Sequence, residues 1–241
     1  MNILKRYAVG FSYIGENYCG YQSQGCGRAV ADALTLSIST VANHEVKLGC
    51  AGRTDAGVHA LLQVVHFDSC SNRTEYQWLK GINANLPSDI KVLWVQEVED
   101  RFHARFSAQS RSYVYILNPE QDDLFMERYS WKVGSLDLSA MQHAANILLG
   151  EHDFYAFQSR HCQAKHAIRR IDRVLIKEVG YMVHFEITAN AFVHHMVRKI
   201  VATLVKVGEG KMSADEVLFI LKNKNRRKVP GQAPAKGLFL R

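Results

Sequence analysis

Residues 46–67 read VKLGCAGRTDAGVHALLQVVHF, two apolar runs on either side of a polar segment bounded by glycines. The apolar runs predict strands near 45–51 and 62–68, and the segment between them predicts a loop held at both ends. An ordinary turn would explain Asp55 and Gly57, since aspartate bonds to the backbone just ahead and glycine adopts positive φ. A reactive loop carrying Arg53 and Asp55 is the alternative, and the stretch alone leaves both open.

Further elements surround this loop in the first half of the chain. Apolar periodicity predicts a strand at 5–13, helices at 29–42 and 74–84, and a strand at 90–98. The resulting order, β-α-β-β-α-β, is typical of the split βαβ or ferredoxin-like arrangement. The polar, glycine-rich segment after the first strand is expected to be a loop that exposes Tyr18 and Tyr21.

The second half has a similar outline. Its predicted elements are strands at 106–117, 168–178, 181–189 and 237–240, with helices at 137–149, 191–207 and 213–222. We therefore expect an α+β fold of two ferredoxin-like halves, residues 1–103 and 104–241. Their antiparallel sheets are expected to join into one wide sheet with helices on one face, which leaves the other face open to RNA.

Composition narrows the class of protein. The chain has 241 residues, of which 47% are hydrophobic, so a packed core is expected. Its 30 Lys and Arg exceed its 23 Asp and Glu, and the net charge of +7 favours an anionic partner such as nucleic acid. No run approaches the roughly 20 apolar residues of a membrane span. Five cysteines without paired spacing suit a reducing compartment, and we expect the cytoplasm.

Two further segments contain candidate functional residues. In NAFVHHMVRKI, residues 190–200, helical periodicity places His194 and Arg198 on one flank of an apolar stripe. Arg198 is placed to meet a carboxylate or, alternatively, to extend over the core with its charge in water. In RSYVYIL, residues 111–117, Tyr113 and Tyr115 share one strand face, as packing residues or as a platform for a base. Neither paired Cys-x-x-Cys zinc spacing nor a phosphate-binding P-loop occurs.

Several collinear segments resemble one family. CAGRTDAGVHA with QVVHF, INANLPSDI, FHARFSA, RSYVYIL, ANAFVHHMVR and KGLFL are similar to segments of the TruA-type tRNA pseudouridine synthases, in that family's order from about residue 7 onward. The resemblance implies the pseudouridine synthase fold and an isomerase that converts uridine to pseudouridine at positions 38–40 of the tRNA anticodon stem-loop. It also implies a homodimer that needs neither cofactor nor metal.

The resemblance also implies roles for individual residues. Asp55 falls on the family's essential aspartate, the nucleophile, and Arg53 on an arginine that helps to extrude the target base. Tyr113 falls on a tyrosine that packs against the uracil, and Arg198 on the arginine that pairs with the aspartate. The residues Gly20-Tyr21-Gln22 stand where the family commonly has Gly-Trp-Gln. The sequence of residues 160–170, RHCQAKHAIRR, also differs from the usual sequence of the family at this place.

Two rival functions remain compatible with the residues. A non-catalytic RNA-binding protein with paired ferredoxin-like domains would account for the charge and the tyrosines, but it would leave Asp55 without a role. A metal-dependent nuclease would use Asp55 with His194 and His195, and it would lose activity to a chelator.

Overall fold

The chain divides into two units, Met1–Gln109 together with Leu240–Arg241, and Ser110–Phe239. The structure is a computed structural model that describes residues 4–25, 27–119 and 122–241. Within these ranges no helix is both long and apolar enough to cross a membrane.

The first unit is a split βαβ arrangement. Its strands are β1 (Lys5–Tyr13), β2 (Gly49–Cys50), β3 (His59–Ser69) and β4 (Ile90–Val98), and its helices are α1 (Val30–Ala42) and α2 (Glu75–Asn85). Hydrogen bonding orders these strands β4-β1-β3-β2, and every neighbouring pair is antiparallel. This order is the one that the β-α-β-β-α-β sequence of elements predicts.

Local sequence signals set the helix ends, and aromatic packing joins the helices to the sheet. Helix α2 starts with a reciprocal capping box, because Thr74 and Gln77 each bond the other's backbone N–H through the side chain. Trp78 of this helix is fully buried, and its ring lies 5.1 Å from that of Phe67 and 5.4 Å from that of Tyr7. The core of the first unit therefore lies between the sheet and its helices.

The second unit contains a larger set of elements. Its strands are β5 (Arg111–Pro119), β6 (Trp131–Val133), β7 (Gly150–Asp153), β8 (Ile168–Val179) and β9 (Met182–Ala189). Its helices are α3 (Leu138–Asn146), α4 (Met196–Gly208) and α5 (Ala214–Lys222). A last short strand, β10 (Leu238–Leu240), has its first two residues in this unit and Leu240 in the first unit. The strands β5, β9, β8 and β7 are neighbours in that order and antiparallel, and β6 runs parallel to β5. Helix α3 packs on β8 and on α4.

The α+β class expected from the sequence is confirmed, and so is every long element. Three boundaries differ by four or five residues. The strand predicted from residue 106 begins at Arg111, the strand predicted at 45–51 is reduced to Gly49–Cys50, and the helix predicted from 191 begins at Met196. The short strands β6 and β7 were not predicted, because three or four residues carry too little alternation to indicate a strand.

Candidate active site

The loop that carries Asp55 spans residues 51–58 between β2 and β3. Its first residue is fixed by the sheet, where the Ala51 N–H donates to the Val64 carbonyl at 2.9 Å. Its far end is a turn in which Val58 N–H donates to the carbonyl of Asp55 at 3.2 Å, and Gly57 has a φ of 76°. Asp55 is half-buried. The strands thus hold the Asp55 carboxylate on a short loop that has little backbone freedom.

A second loop, residues 14–21, locks the first one in place; we call it the clamp loop. Tyr21 N–H donates to the Thr54 carbonyl at 3.1 Å, and Gly57 N–H donates to the Tyr18 carbonyl at 3.4 Å. Gly20 has a φ of 105°, and a Cβ there would lie 2.7 Å from the Thr54 carbonyl oxygen. The two backbones therefore approach more closely than any side chain at residue 20 would permit.

Buried polar side chains support the Asp55 loop from below. The hydroxyls of Tyr13 and Thr54 are 2.7 Å apart, and Gln63 Nε2 donates to the Gly52 carbonyl at 2.6 Å. Burial raises the pKa of Tyr13, so its hydroxyl stays neutral across the physiological range. These bonds fix residues on both sides of Arg53, whose own side chain is exposed.

Tyr21 lies beneath the Asp55 loop, and the expectation that its ring is exposed is wrong. Only 3% of the residue is accessible, and the thiol of Cys50 lies close to its hydroxyl. Burial raises the pKa of both groups. The clamp loop is polar in composition, but it folds back over the strand ends and turns Tyr21 inward, whereas Tyr18 remains half-exposed and donates to the Asp89 carboxylate at 2.5 Å.

In the second unit, Tyr113 lies near the start of β5, opposite Ile187 of β9. Its ring meets that of Phe192 edge-on, with centroids 5.1 Å apart and planes at 87°. Tyr113 is half-buried, whereas Tyr115, two residues along the same face, is fully buried and donates to the Pro234 carbonyl at 2.8 Å. Strand β5 thus contains one tyrosine that packs in the core, Tyr115, and one that retains accessible surface, Tyr113.

Arg198 lies in the first turn of α4 and is tied to the chain near its end. Its Nε donates to the Ala233 carbonyl at 2.7 Å, and the Ala233 N–H donates to the Arg198 carbonyl at 3.0 Å. The side chain is half-buried and its Nε is bonded to backbone; whether its charge meets a carboxylate or extends into water stays a prediction. This reciprocal pair sets the direction of the guanidinium stem.

The two histidines before α4 do not occupy the helical positions predicted for them. His195 has a φ of 66°, a left-handed conformation that no α-helix continues, so His194 and Arg198 are not successive residues on a helix face. The rings of His194 and His195 lie 3.8 Å apart at 41°.

The predicted site residues thus fall into two groups. Arg53 and Asp55 share one loop of the first unit, and Tyr113 and Arg198 belong to the second unit. The sequence did not point to Tyr13, Thr54 or Gly20 as supporting residues. The one available signal was Gly20 itself, since a glycine inside a tyrosine-bearing loop often marks a close backbone approach.

Comparisons with known proteins place these residues in context. A family described as "tRNA pseudouridine synthase" matches residues 11–107 and 144–241. The tRNA pseudouridine synthase A of Bordetella avium is 43% identical over 241 residues, covering 98% of this chain and 90% of that protein. The enzyme of the same name from Nitrosomonas eutropha is 45% identical, and the match covers 95% of this chain and 83% of that protein. The enzyme from Vibrio parahaemolyticus is 44% identical, and the match covers 98% of this chain and 90% of that protein.

Proposed function

The chain belongs to the tRNA pseudouridine synthase family, and from this premise we propose that Asp55 starts the isomerisation of uridines 38–40 in the anticodon stem-loop of tRNA. The protein is an isomerase that converts uridine in tRNA to pseudouridine. The target positions and the residues that act there are the proposal.

The reaction exchanges one glycosidic bond for another. The N1–C1′ bond of uridine breaks, the uracil turns, and a C5–C1′ bond forms while C5 loses its hydrogen and N1 gains a proton. The substrate and the product have the same atoms, so no oxidant or reductant is consumed. The base must first leave the helix stack, which costs a few kcal/mol that the enzyme offsets with contacts to the extruded nucleotide.

Asp55 is the proposed nucleophile, and the rigidity of its loop is the observation that carries the assignment. A carboxylate that reacts at ribose must be positioned within fractions of an ångström. The sheet, the clamp loop and the Tyr13–Thr54 hydrogen bond hold the backbone around Asp55 from three sides. As a nucleophile the carboxylate attacks C1′; the alternative route, removal of a ribose proton to give a glycal, would use the same carboxylate as a base.

Three further residues have proposed roles. Arg53, which is exposed on the same loop, would occupy the place of the extruded base or hold its phosphate. Tyr113 would stack on the uracil, a role for which its accessible ring is suited. Arg198 would supply a positive charge that no accessible pH removes, to pair with the reacting carboxylate.

Substrate size and charge support the remaining parts of the proposal. We propose that the protein works as a homodimer in the cytoplasm, without cofactor or metal, so that one subunit can bind the body of a tRNA whose stem-loop the other modifies. The net charge of +7 favours binding to the phosphate backbone. Light scattering tests the dimer, which should have about twice the 27.3 kDa mass of the chain.

The positional assignment is tested with tRNA transcripts that carry a single uridine. We expect conversion when that uridine stands at position 38, 39 or 40, and none when it stands elsewhere in the anticodon loop. Conversion of other positions alone would contradict the proposed target. Tight binding without conversion of any uridine would favour the non-catalytic RNA-binding protein, and EDTA-sensitive cleavage of the RNA would favour the nuclease.

A further inference from the structure

Three cationic side chains of the second unit have no part in the proposed chemistry. Lys199 lies in α4, Arg160 follows the short 3-10 helix Phe154–Phe157, and Arg226 begins the short 3-10 helix Arg226–Lys228. The helix Phe154–Phe157 contacts both α4 and the helix of Arg226. We call these three residues the cationic cluster.

Arg226 is pre-organised by an aromatic ring. Its guanidinium carbon lies 4.6 Å from the centroid of the Tyr155 ring, and Nη2 donates to the Tyr155 carbonyl at 3.4 Å. Its Nε is buried and, among the described residues, has no hydrogen-bond partner. Stacking holds the planar fork in one orientation, and a guanidinium with unused donors is suited to binding an anionic oxygen.

Lys199 is held beside this guanidinium. Its Nζ donates to the Gln158 carbonyl at 2.8 Å, which uses one of three ammonium protons. Burial and the charges of Arg226 and Arg160 lower the pKa of Lys199. The carbonyls that Lys199 and Arg226 bond belong to Gln158 and Tyr155, so both cations are held against the same short segment, and Arg160 follows it two residues further along the chain.

The local acidic group is already occupied. Asp153 lies two residues before Tyr155, and its Oδ2 pairs with Lys224 Nζ at 2.7 Å. Its Oδ1 accepts from the Tyr155 backbone N–H at 3.1 Å. The cationic cluster therefore keeps an excess positive charge that a bound anion would neutralise.

We propose that Lys199, Arg226 and Arg160 form a binding site for a backbone phosphate of the tRNA substrate. The inference rests on the proposed function, because it takes tRNA as the ligand. A phosphodiester supplies two anionic oxygens, which match the paired donors of a guanidinium and the single charge of an ammonium. Such a contact positions the RNA on the enzyme without reading its sequence.

The test measures tRNA affinity as a function of salt for wild type, Arg226→Gln and Lys199→Gln. Arg173→Gln is the matched control, because it removes an exposed arginine from β8 of the same unit. We expect each cluster variant to raise Kd about tenfold at low salt and to reduce the slope of log K against log salt by about 0.7–0.9. The KM for tRNA should rise while kcat stays unchanged.

Two additional measurements keep the outcome unambiguous. Arg226→Lys retains the charge without the planar fork and should bind with intermediate affinity, and thermal unfolding of each variant identifies any loss of fold. Cluster variants that match Arg173→Gln in Kd and in salt slope would overturn the proposal. The proposal would also be overturned if wild type binds inorganic phosphate saturably and Arg226→Gln abolishes that binding without changing the affinity for tRNA. That result would assign the cluster to a small phosphate.

The same samples separate this proposal from the proposed function. Uridine conversion by wild type with no effect of the cluster variants would refute the phosphate site alone. Loss of affinity in the cluster variants without conversion by wild type would refute the proposed function and leave the RNA phosphate site standing.

Discussion

Replacing Gly20 with alanine should disturb the Asp55 loop without touching Asp55 itself. The backbone of Gly20 has a φ of 105°, which side chains rarely adopt. The added Cβ would lie 2.7 Å from the Thr54 carbonyl oxygen and 3.2 Å from both the Asp55 carbonyl carbon and the Ala56 nitrogen. All three neighbours are backbone atoms of the reactive loop, so relief requires that loop to move.

The magnitude follows from these distances. Ordinary carbon–oxygen contacts begin at about 3.3 Å, so the loop must shift by roughly half an ångström. A displacement of about 1 Å at a reacting group costs around 100-fold in rate, and half that shift should lower kcat about tenfold. Conformational strain adds about 1–3 kcal/mol to the cost of folding, and Tm should fall by about 2–4 °C for each kcal/mol.

Two other glycines of the same segment provide matched controls. Gly27 also has a positive φ, 67°, but an added Cβ would meet nothing within 4 Å. At Gly25 an added Cβ would also meet nothing within 4 Å, and the φ of this residue lies outside the positive region. Gly27→Ala should therefore lose stability by about 1–2 kcal/mol with kcat unchanged, and Gly25→Ala should match wild type in both.

The assay is single-turnover conversion of uridine in tRNA at saturating enzyme, together with tRNA binding and thermal unfolding. We expect Gly20→Ala to bind tRNA with wild-type affinity and to react about tenfold more slowly. A reaction rate for Gly20→Ala equal to that of Gly27→Ala would refute the reasoning, since strain without displacement would then account for the whole effect.

Three other substitutions test separate parts of the account. Tyr13→Phe leaves the buried Thr54 hydroxyl without its 2.7 Å partner and should lower the free energy of unfolding by about 1–3 kcal/mol; an unchanged denaturant midpoint would contradict this. Burial is the main cause that lowers the pKa of His66 in the folded protein. The stability that this shift contributes is fully present above about pH 6.5, where the side chain is neutral in the unfolded chain as well. It is lost as pH falls through the lower pKa of the folded state, because the unfolded chain binds the proton more readily. The Tm of His66→Gln should therefore change less between pH 5 and pH 7 than that of wild type, and parallel curves would exclude the effect. Arg53→Gln should keep Tm within about 1 °C, because the side chain is exposed, and should slow conversion at least about tenfold; an unchanged rate would remove Arg53 from the site.

Hydrophobic periodicity predicted the long elements of this fold. Strands β1 and β4 have the predicted bounds, because Val9, Phe11 and Val92 alternate with residues on the opposite face and no capping residue interrupts them. Helices α2 and α5 begin where capping residues stand in the sequence. These features are local, so a single sequence contains them.

Long-range packing set the features that periodicity missed. The apolar stripe around Val193 continues across His195, so the pattern placed the start of the helix too early. The helix begins only after His195, because that residue has a left-handed backbone. Tyr21 belongs to a polar segment, and its inward position depends on backbone hydrogen bonds to Thr54 and Ala31. The resemblance identified Asp55, but the clamp that fixes its loop depends on contacts between segments more than thirty residues apart, as Tyr21 and Thr54 are.

The account's central claim is that Asp55 carries out the reaction, and tritium release from C5 of uridine-labelled tRNA tests it most directly. Formation of the C5–C1′ bond must expel the hydrogen at C5, so release reports the isomerisation itself. With EDTA present, we predict release by wild type and none by Asp55→Asn, which keeps the size of the side chain while removing its charge, with tRNA binding intact in both. Release by Asp55→Asn at the wild-type rate would contradict the claim.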